Sequence, residues 1–434
     1  MKIYTTQIAA KLLSKESALA MKTIRKVIDS FPDQGIIDVF SLYPTKDLIG
    51  SILALSRLQR VVQYHYRRDN TRNDTRQDQT EKTFTYLWKS KTLDLHSERE
   101  LLSDLAHYSS FAHAAYGWKF GLLLSGKFHL GDSRMLMRKT GVKRHDIIVT
   151  NWRSKTHLPA YFLVRDVERK TIVLSIRGTC SPRDILTDLC CSAEDFFIGE
   201  DPKSTLRTRY KARAHHGMLE SARGVASQCR KLIATELAMH PGYELVLVGH
   251  SLGGAVAAIL GTLWRDTFPG LKVYAFGCPC VGPLDAYPTV DNAIVSIVGE
   301  NDPFSCLSLG HLADASAILA RLCENQELRD SILNHTKDDV KTMDENSIAW
   351  CMETKKSLES LQTSEKLYPP GRILYIKGNL FRDIDEVSLS EANREDLAFS
   401  QLKFHPRMFD LSLHIPHRYE TLLSRIWNHV KSTM

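Results

Sequence analysis

The chain has 434 residues, of which 43% are hydrophobic and 25% charged, and its formal net charge is +7 at pH 7. This length and apolar content suffice for a large buried core, which excludes a disordered chain or a disulfide-stabilised miniprotein. The positive balance is mild and permits attraction to an anionic membrane surface. Because no nucleic-acid-binding motif accompanies it, we expect no nucleic-acid partner.

The cysteines and the N-terminal residues indicate in which cellular compartment we expect the protein. Nine cysteines without a C-x-x-C pair favour reduced, mostly buried thiols in an intracellular protein. Lysines at positions 2, 11 and 15 interrupt any apolar core of a secretory signal, and an ordinary surface helix is favoured over an organelle transit peptide. No window reaches the ~20 apolar residues of a membrane span. We therefore expect a cytoplasmic protein whose membrane contact is peripheral.

The first third of the chain reads as helical. Residues 1–66 predict two or three helices, and the polar stretch 69–82 predicts a loop tip or disordered linker. Residues 97–124 are helical in pattern and rich in aromatic side chains, as in a helix that packs on a sheet. We predict an N-terminal helical segment over 1–92 and one larger domain over 93–434.

Apolar and β-branched runs predict the strands of the larger domain. Residues 161–164 and 171–176 form a hairpin pattern around a polar turn. The later runs lie at 244–248, 272–276, 293–298 and 372–376. Strands that alternate with helical patterns predict a mostly parallel α/β sheet with right-handed crossovers.

The sequence GHSLGG at 249–254 lies between an apolar strand pattern and a helical pattern. Strand, tight turn with a central serine, and helix form the context of a nucleophile elbow. Gly249 and Gly253 suit the cramped turn because a β-carbon there would clash. Ser251 is therefore the candidate nucleophile, and the amide of Leu252 is a candidate oxyanion donor. The alternative is a glycine-rich turn without chemistry.

A serine nucleophile needs a base and an acid that orients it, and in this fold class they follow the serine in the order acid, then histidine. The strand pattern 293–298 ends in a turn that contains Asp302, our candidate acid. Glu300 in the same turn is the first alternative and Asp285 the weaker one. An ordinary turn residue is the remaining interpretation, because Asn-Asp-Pro favours turns.

The base must come later in the chain. His414 lies in a loop pattern just before the helical pattern that starts at 419, where this fold delivers its base. His417 is the nearest competitor. The other downstream candidates are His311, His335 and His405.

A second oxyanion donor is expected at the end of another buried strand. The run 171–176 leads into Arg177-Gly178-Thr179, and the backbone amide of Thr179 can complete the hole beside Leu252. A plain strand end with a glycine turn is the alternative.

Together these segments resemble the class 3 lipase family, most nearly its branch of sn-1-specific diacylglycerol lipases. The resemblance spans roughly residues 100–305 and 368–425. It rests on SIRGT at 175–179, DILTDL at 184–189, HGM at 216–218, the elbow at 248–255 and HIPHRY at 414–419. The last of these corresponds to the base loop of the family and selects His414 over His417.

The resemblance implies an α/β-hydrolase fold and the hydrolysis of acylglycerol esters, most readily diacylglycerol to monoacylglycerol and fatty acid. It implies a lipid substrate, which we expect the protein to meet at a membrane or lipid-droplet surface. We expect no cofactor and no metal ligand among the site residues. An inactive hydrolase-like scaffold, an acyltransferase and a phospholipase are the alternatives, and the oligomeric state is left open. In three places the chain departs from the family: Leu413 replaces an aspartate, DPF at 302–304 replaces D-x-V-P, and Cys278 and Cys280 replace proline and small residues.

Two insertions are predicted within the larger domain. Residues 192–213 combine Phe196 and Phe197 with a basic run from Lys203 to Arg213, a composition that suits a lid opening on a phospholipid surface. A surface loop with solvated charges is the alternative. Residues 308–365 are mostly helical in pattern and form either a gate over the site or an inert helical cap.

Overall fold

The computed structural model describes residues 36–73, 91–92, 98–117, 131–179, 193–198, 210–284, 293–378, 387–392, 402, 404 and 411–432. By their internal contacts the residues form two units. One comprises 1–90, 306–366 and 393–410, and the other comprises 91–305, 367–392 and 411–434. The predicted boundary between residues 92 and 93 stays a prediction.

A nine-stranded sheet runs through the second unit in the order β1-β11-β10-β9-β8-β7-β4-β3-β2. Its strands are β1 (Lys91–Thr92), β2 (Ile147–Asn151), β3 (Tyr161–Asp166), β4 (Thr171–Ile176), β7 (Glu244–His250), β8 (Lys272–Phe276), β9 (Ile294–Gly299), β10 (Arg372–Lys377) and β11 (Ser388–Ala392). The remaining strands, β5 (Ala193–Ile198) and β6 (Tyr210–His215), pair with each other as an antiparallel hairpin.

The centre of the sheet is parallel and its margins are antiparallel. Strands β4, β7, β8, β9 and β10 run parallel, whereas β2, β3, β11 and β1 are added antiparallel. The register pairs Ile176 with Gly249 and His250 with Phe276, so the carboxyl ends of β4, β7 and β8 lie at one edge. In α/β sheets this edge is where ligands bind.

The helices are α1 (Val39–Leu42), α2 (Thr45–Asn73), α3 (Arg99–Ala114), α4 (Asp132–Thr140), α5 (His216–Met239), α6 (Leu252–Trp264), α7 (Leu309–Glu324), α8 (Gln326–His335), α9 (Glu345–Glu359) and α10 (Pro416–Ser432). Helices α7, α8 and α9 fall within the predicted helical insert. None of the helices in the described part of the chain has the length and apolarity that crossing a bilayer requires.

The core of the second unit covers the sheet with aromatic and aliphatic side chains. Tyr108 and Phe111 of α3 pack with Leu422 and Ile426 of α10 against apolar residues of the parallel strands. Helix α6 is almost wholly buried, which agrees with its lack of charged residues. The mostly parallel α/β sheet, predicted from the alternation of strand and helix patterns, is confirmed, and so is the α/β-hydrolase fold that the resemblance implied.

One local prediction was wrong. Residues 69–73, expected in a loop, continue helix α2 as far as Asn73. Extending an established helix adds one hydrogen bond for each residue fixed, so polar residues at its end can remain helical. The rest of that predicted linker lies outside the described residues.

Candidate active site

Ser251 lies in a strained turn between β7 and α6. Its backbone has φ 57° and ψ −130°, a conformation that non-glycine residues rarely adopt. The side chain is buried, and the Ser251 amide donates a hydrogen bond of 2.9 Å to the carbonyl of Phe276. Such strain concentrates at functional sites, where the surrounding fold maintains it.

The glycines beside Ser251 are required by space. A β-carbon on Gly249 would lie 2.2 Å from the carbonyl carbon of Gly253. One on Gly253 would lie 2.1 Å from the carbonyl oxygen of Ile176. Both distances are far below van der Waals contact, so the steric prediction for these positions is confirmed.

The end of β4 lies against the same turn. A β-carbon on Gly178 would lie 2.9 Å from the Cβ atom of Ser251 and 2.5 Å from the hydroxyl of Tyr116. Thr179 therefore follows a glycine packed on the serine, and it is half-buried. Leu252 begins α6, where the first-turn amides lack helical acceptors. Both positions suit oxyanion donors, and that role stays a prediction for each.

Asp302 and His414 form a buried pair. The distance from His414 Nδ1 to Asp302 Oδ2 is 2.7 Å, and both residues are only 4% exposed. Within the described residues, Nε2 of His414 is buried and has no hydrogen-bond partner. An imidazole held by a carboxylate at Nδ1 presents Nε2 as a base, the arrangement of a serine hydrolase triad.

Two further groups stabilise the carboxylate of Asp302. The hydroxyl of Tyr419 donates to Oδ2 over 2.5 Å, and the amide of Phe304 donates to Oδ1 over 3.0 Å. Burial by itself raises the pKa of Asp302, but attraction to His414 and the hydrogen bonds lower that pKa below its ordinary value. The carboxylate is therefore ionised at neutral pH.

Sequence reasoning did not assign a role to Tyr419. Its oxygen also accepts a 2.9 Å hydrogen bond from the amide of Gly299, so the phenol joins strand β9 to Asp302. Burial and the nearby Asp302 raise the pKa of Tyr419 well above its ordinary value, which keeps it a neutral donor. Its place five residues after His414 in the base-loop motif was the available signal.

The competing histidines in the described part of the chain make contacts other than the one with Asp302. The imidazole of His417 is 46% exposed and is 3.7 Å from Glu420. His311 is hydrogen-bonded to Ser308, and His335 stacks on Trp350, both in the other unit. Glu300 is in the same turn as Asp302, but the hydrogen bond to His414 is made by Asp302. Asp285 and His405 lie outside the described residues.

His113, His417 and Glu420 form a cluster with the geometry of a metal site. Their ligand atoms lie within 4.8 Å of one another. The ammonium of Lys139, however, is 2.6 Å and 2.8 Å from the two carboxylate oxygens of Glu420. A cation of the protein therefore already neutralises this carboxylate, and the cluster is an ion-pair network between α3, α4 and α10. The expectation of no metal stays a prediction.

The candidate lid contains the hairpin β5–β6. Phe196 is 1% exposed, and the guanidinium of Arg213 is 3.3 Å from Asp195. Lys203, Arg207 and the side chain of Phe197 lie outside the described residues. The motion of a lid over 192–213 stays a prediction.

Comparison with known proteins finds similarity to lipases. Residues 173–309 match the family model described as lipase (class 3). Diacylglycerol lipase-beta of Mus musculus is 28% identical over 247 residues, covering 50% of this chain and 36% of the relative. Diacylglycerol lipase-alpha of Homo sapiens is 26% identical over 353 residues, covering 67% of this chain and 32% of the relative. The chain thus spans about a third of the length of these relatives.

Fungal lipases are also similar. Secreted mono- and diacylglycerol lipase 1 of Fusarium solani is 30% identical over 184 residues, covering 42% of this chain and 50% of the relative. Among solved structures, lipase II from Rhizopus niveus is 18% identical with a TM-score of 0.42, covering 71% of this chain and 90% of that one. The matched segment contains the elbow and the turn of Asp302. The resemblance to the class 3 lipase family that the sequence predicts is therefore confirmed over residues 173–309.

Proposed function

We propose that this chain hydrolyses acylglycerol esters, converting diacylglycerol into monoacylglycerol and a fatty acid. The observation that carries the proposal is the strained serine elbow in the same unit as a buried Asp302–His414 pair 2.7 Å apart. Relatives named as diacylglycerol lipases support this substrate.

Acylation begins with Ser251. Its Oγ attacks the ester carbonyl carbon while Nε2 of His414 takes the hydroxyl proton. The carbonyl oxygen becomes an oxyanion, which the amides of Thr179 and Leu252 stabilise. Asp302 holds Nδ1 of His414 and stabilises the imidazolium that forms.

The tetrahedral intermediate then collapses. Its bond to the leaving alkoxy oxygen breaks, and the imidazolium of His414 donates a proton to that oxygen, which releases monoacylglycerol. Water attacks the acyl-enzyme with His414 again acting as base. The carboxylic acid leaves, and Ser251 regains its proton.

The substrate is a lipid, so we place the reaction at a membrane or lipid-droplet surface reached by peripheral contact. The net charge of +7 and the basic residues in the sequence of the candidate lid support this contact. Each basic side chain near an anionic leaflet contributes ~1 kcal/mol.

The decisive experiment compares wild type with Ser251→Ala on diacylglycerol, triacylglycerol, phospholipid and a short soluble ester. Wild type should release fatty acid from diacylglycerol fastest, and the variant should be inactive. A fluorophosphonate probe should label wild type at Ser251. A folded protein with neither labelling nor hydrolysis would contradict the proposal and indicate a scaffold, and preferential acylation of an added alcohol would indicate an acyltransferase.

A further inference from the structure

Two consecutive carbonyls of the base loop accept hydrogen bonds from buried side chains. The carbonyl of Leu413 accepts from Nη1 of Arg418 over 2.9 Å, and the carbonyl of His414 accepts from Nε2 of His250 over 2.6 Å. His250 is 1% exposed and Arg418 is 5% exposed. The backbone of His414 is thus held from the nucleophile elbow on one side and from α10 on the other.

The protonation of His250 follows from its partners. A carbonyl oxygen can only accept, so Nε2 carries the proton. Burial, and secondarily the neighbouring His414, lower the pKa of His250 well below its ordinary value, so the ring of His250 is neutral. Its Nδ1 therefore accepts from the hydroxyl of Tyr116 at 2.8 Å. His250, the residue before Ser251, is therefore held in one tautomer, and its ring links Tyr116 to the base loop.

Arg418 links three loops at the same edge of the sheet. Besides Leu413, its guanidinium donates to the carbonyl of Glu300 over 3.3 Å and to the carbonyl of Gly378 over 3.0 Å. Glu300 precedes Asp302 by two residues, and Gly378 follows strand β10. The planar guanidinium carries five donors in a rigid arrangement, so it can satisfy carbonyls from separate loops at once.

We propose that His250 and Arg418 are positioning residues that keep His414 aligned between Asp302 and Ser251. The proposal rests on the proposed function, because alignment matters only if His414 is the base. Leu413 contributes through its carbonyl, so the loop is held through its backbone. Neither residue touches the reacting atoms in this scheme.

The first test replaces Arg418 with methionine, which keeps length but removes the donors. With a short soluble ester such as p-nitrophenyl butyrate, we expect kcat to fall by roughly 10²-fold, because a misplacement of ~1 Å costs that much. KM should change less than threefold, since no ester contact is removed. The kcat of Arg418→Lys, which keeps a charge and some donors, should lie between the values for wild type and Arg418→Met.

Arg372→Met is the matched control. Arg372 is a largely buried arginine at the start of β10, where it pairs with Glu98 and Glu391. Its loss should lower the free energy of unfolding and leave the kcat of the folded protein unchanged. If Arg418→Met matches this control, retaining kcat while losing only stability, the positioning role is overturned.

The second test uses His250→Gln and His250→Leu. Glutamine can present an amide donor to the His414 carbonyl, whereas leucine cannot. The kcat of His250→Leu should therefore fall, and His250→Gln should retain at least part of the kcat that His250→Leu loses. Equal loss of kcat in both folded variants would show that the ring's volume matters rather than its hydrogen bond, and would refute the role of His250.

A readout without substrate separates this inference from the proposed function. The proton shared by His414 Nδ1 and Asp302 should give a low-field NMR resonance, which we expect to weaken or shift in Arg418→Met and His250→Leu but not in Arg372→Met. An unchanged resonance in the first two variants would overturn the inference. A wild-type protein with this resonance but no hydrolysis would instead contradict the proposed function alone.

Discussion

Replacing Tyr419 with phenylalanine removes one oxygen that serves two buried partners. The variant loses the 2.5 Å hydrogen bond to the carboxylate of Asp302 and leaves the amide of Gly299 without its 2.9 Å acceptor. A hydrogen bond to a charged group contributes about 1.5–3 kcal/mol, and an unsatisfied buried donor costs about 1–3 kcal/mol. Allowing for relaxation, we expect the free energy of unfolding at pH 7 to fall by about 2–4 kcal/mol.

The pH dependence of this loss distinguishes the charged partner from simple packing. Asp302 has a folded-state pKa below its ordinary value of 3.8, so it contributes stability above the unfolded pKa that is lost as pH falls through the folded pKa. Without the Tyr419 hydrogen bond the folded pKa of Asp302 should rise, which makes that contribution smaller. The stability difference between wild type and variant should therefore be largest at neutral pH and should narrow on acidification.

Urea denaturation of wild type and variant, followed by circular dichroism across a pH series, measures this directly. Tyr108→Phe is the control, because the buried hydroxyl of Tyr108 contacts the neutral hydroxyl of Thr171 at 3.1 Å. The free energy of unfolding of Tyr108→Phe should fall by only about 0.5–1.5 kcal/mol. A Tyr419→Phe protein as stable as wild type at pH 7, or a difference that does not change with pH, would refute the reasoning.

The remaining predictions concern activity. Ser251→Ala and His414→Ala should each lower turnover by roughly 10⁴–10⁶-fold and the double variant should be little worse, because triad members act as a unit; an active His414→Ala with an inactive His417→Ala would reassign the base. Thr179→Ser should be tolerated on a soluble ester, whereas Thr179→Pro removes the amide proton and should cost at least ~2.7–4 kcal/mol in transition-state stabilisation; near-normal activity of folded Thr179→Pro would exclude that donor. Charge reversal at the three basic positions 207, 209 and 211 should weaken binding to anionic vesicles far more than to neutral ones, as high salt should, and should spare hydrolysis of the soluble ester. Equal loss on both substrates would instead make the candidate lid structural.

The sequence by itself determined six strands of the sheet, β3, β4, β7, β8, β9 and β10, and the strand–turn–helix around Ser251, whereas it did not predict β1, β2, β5, β6 and β11. Alternating strand and helix patterns are local, and so is the conflict between a β-carbon at Gly249 and the backbone of Gly253 four residues away. The acid turn after β9 and the loop before α10 were also readable, because each is a short polar break beside a strong pattern. These features follow from steric and hydrophobic preferences that act over a few residues.

The tertiary structure alone decided which polar groups meet at that site. Sequence left Glu300 and Asp302 as alternatives in one turn, and it is Asp302 that contacts His414, 112 residues further along the chain. The contacts of Tyr419 with Asp302 and of His250 with the His414 carbonyl join residues 117 and 164 apart. No local pattern encodes such pairs, because each buried hydrogen-bonding group takes whichever partner the packing of distant elements brings within reach.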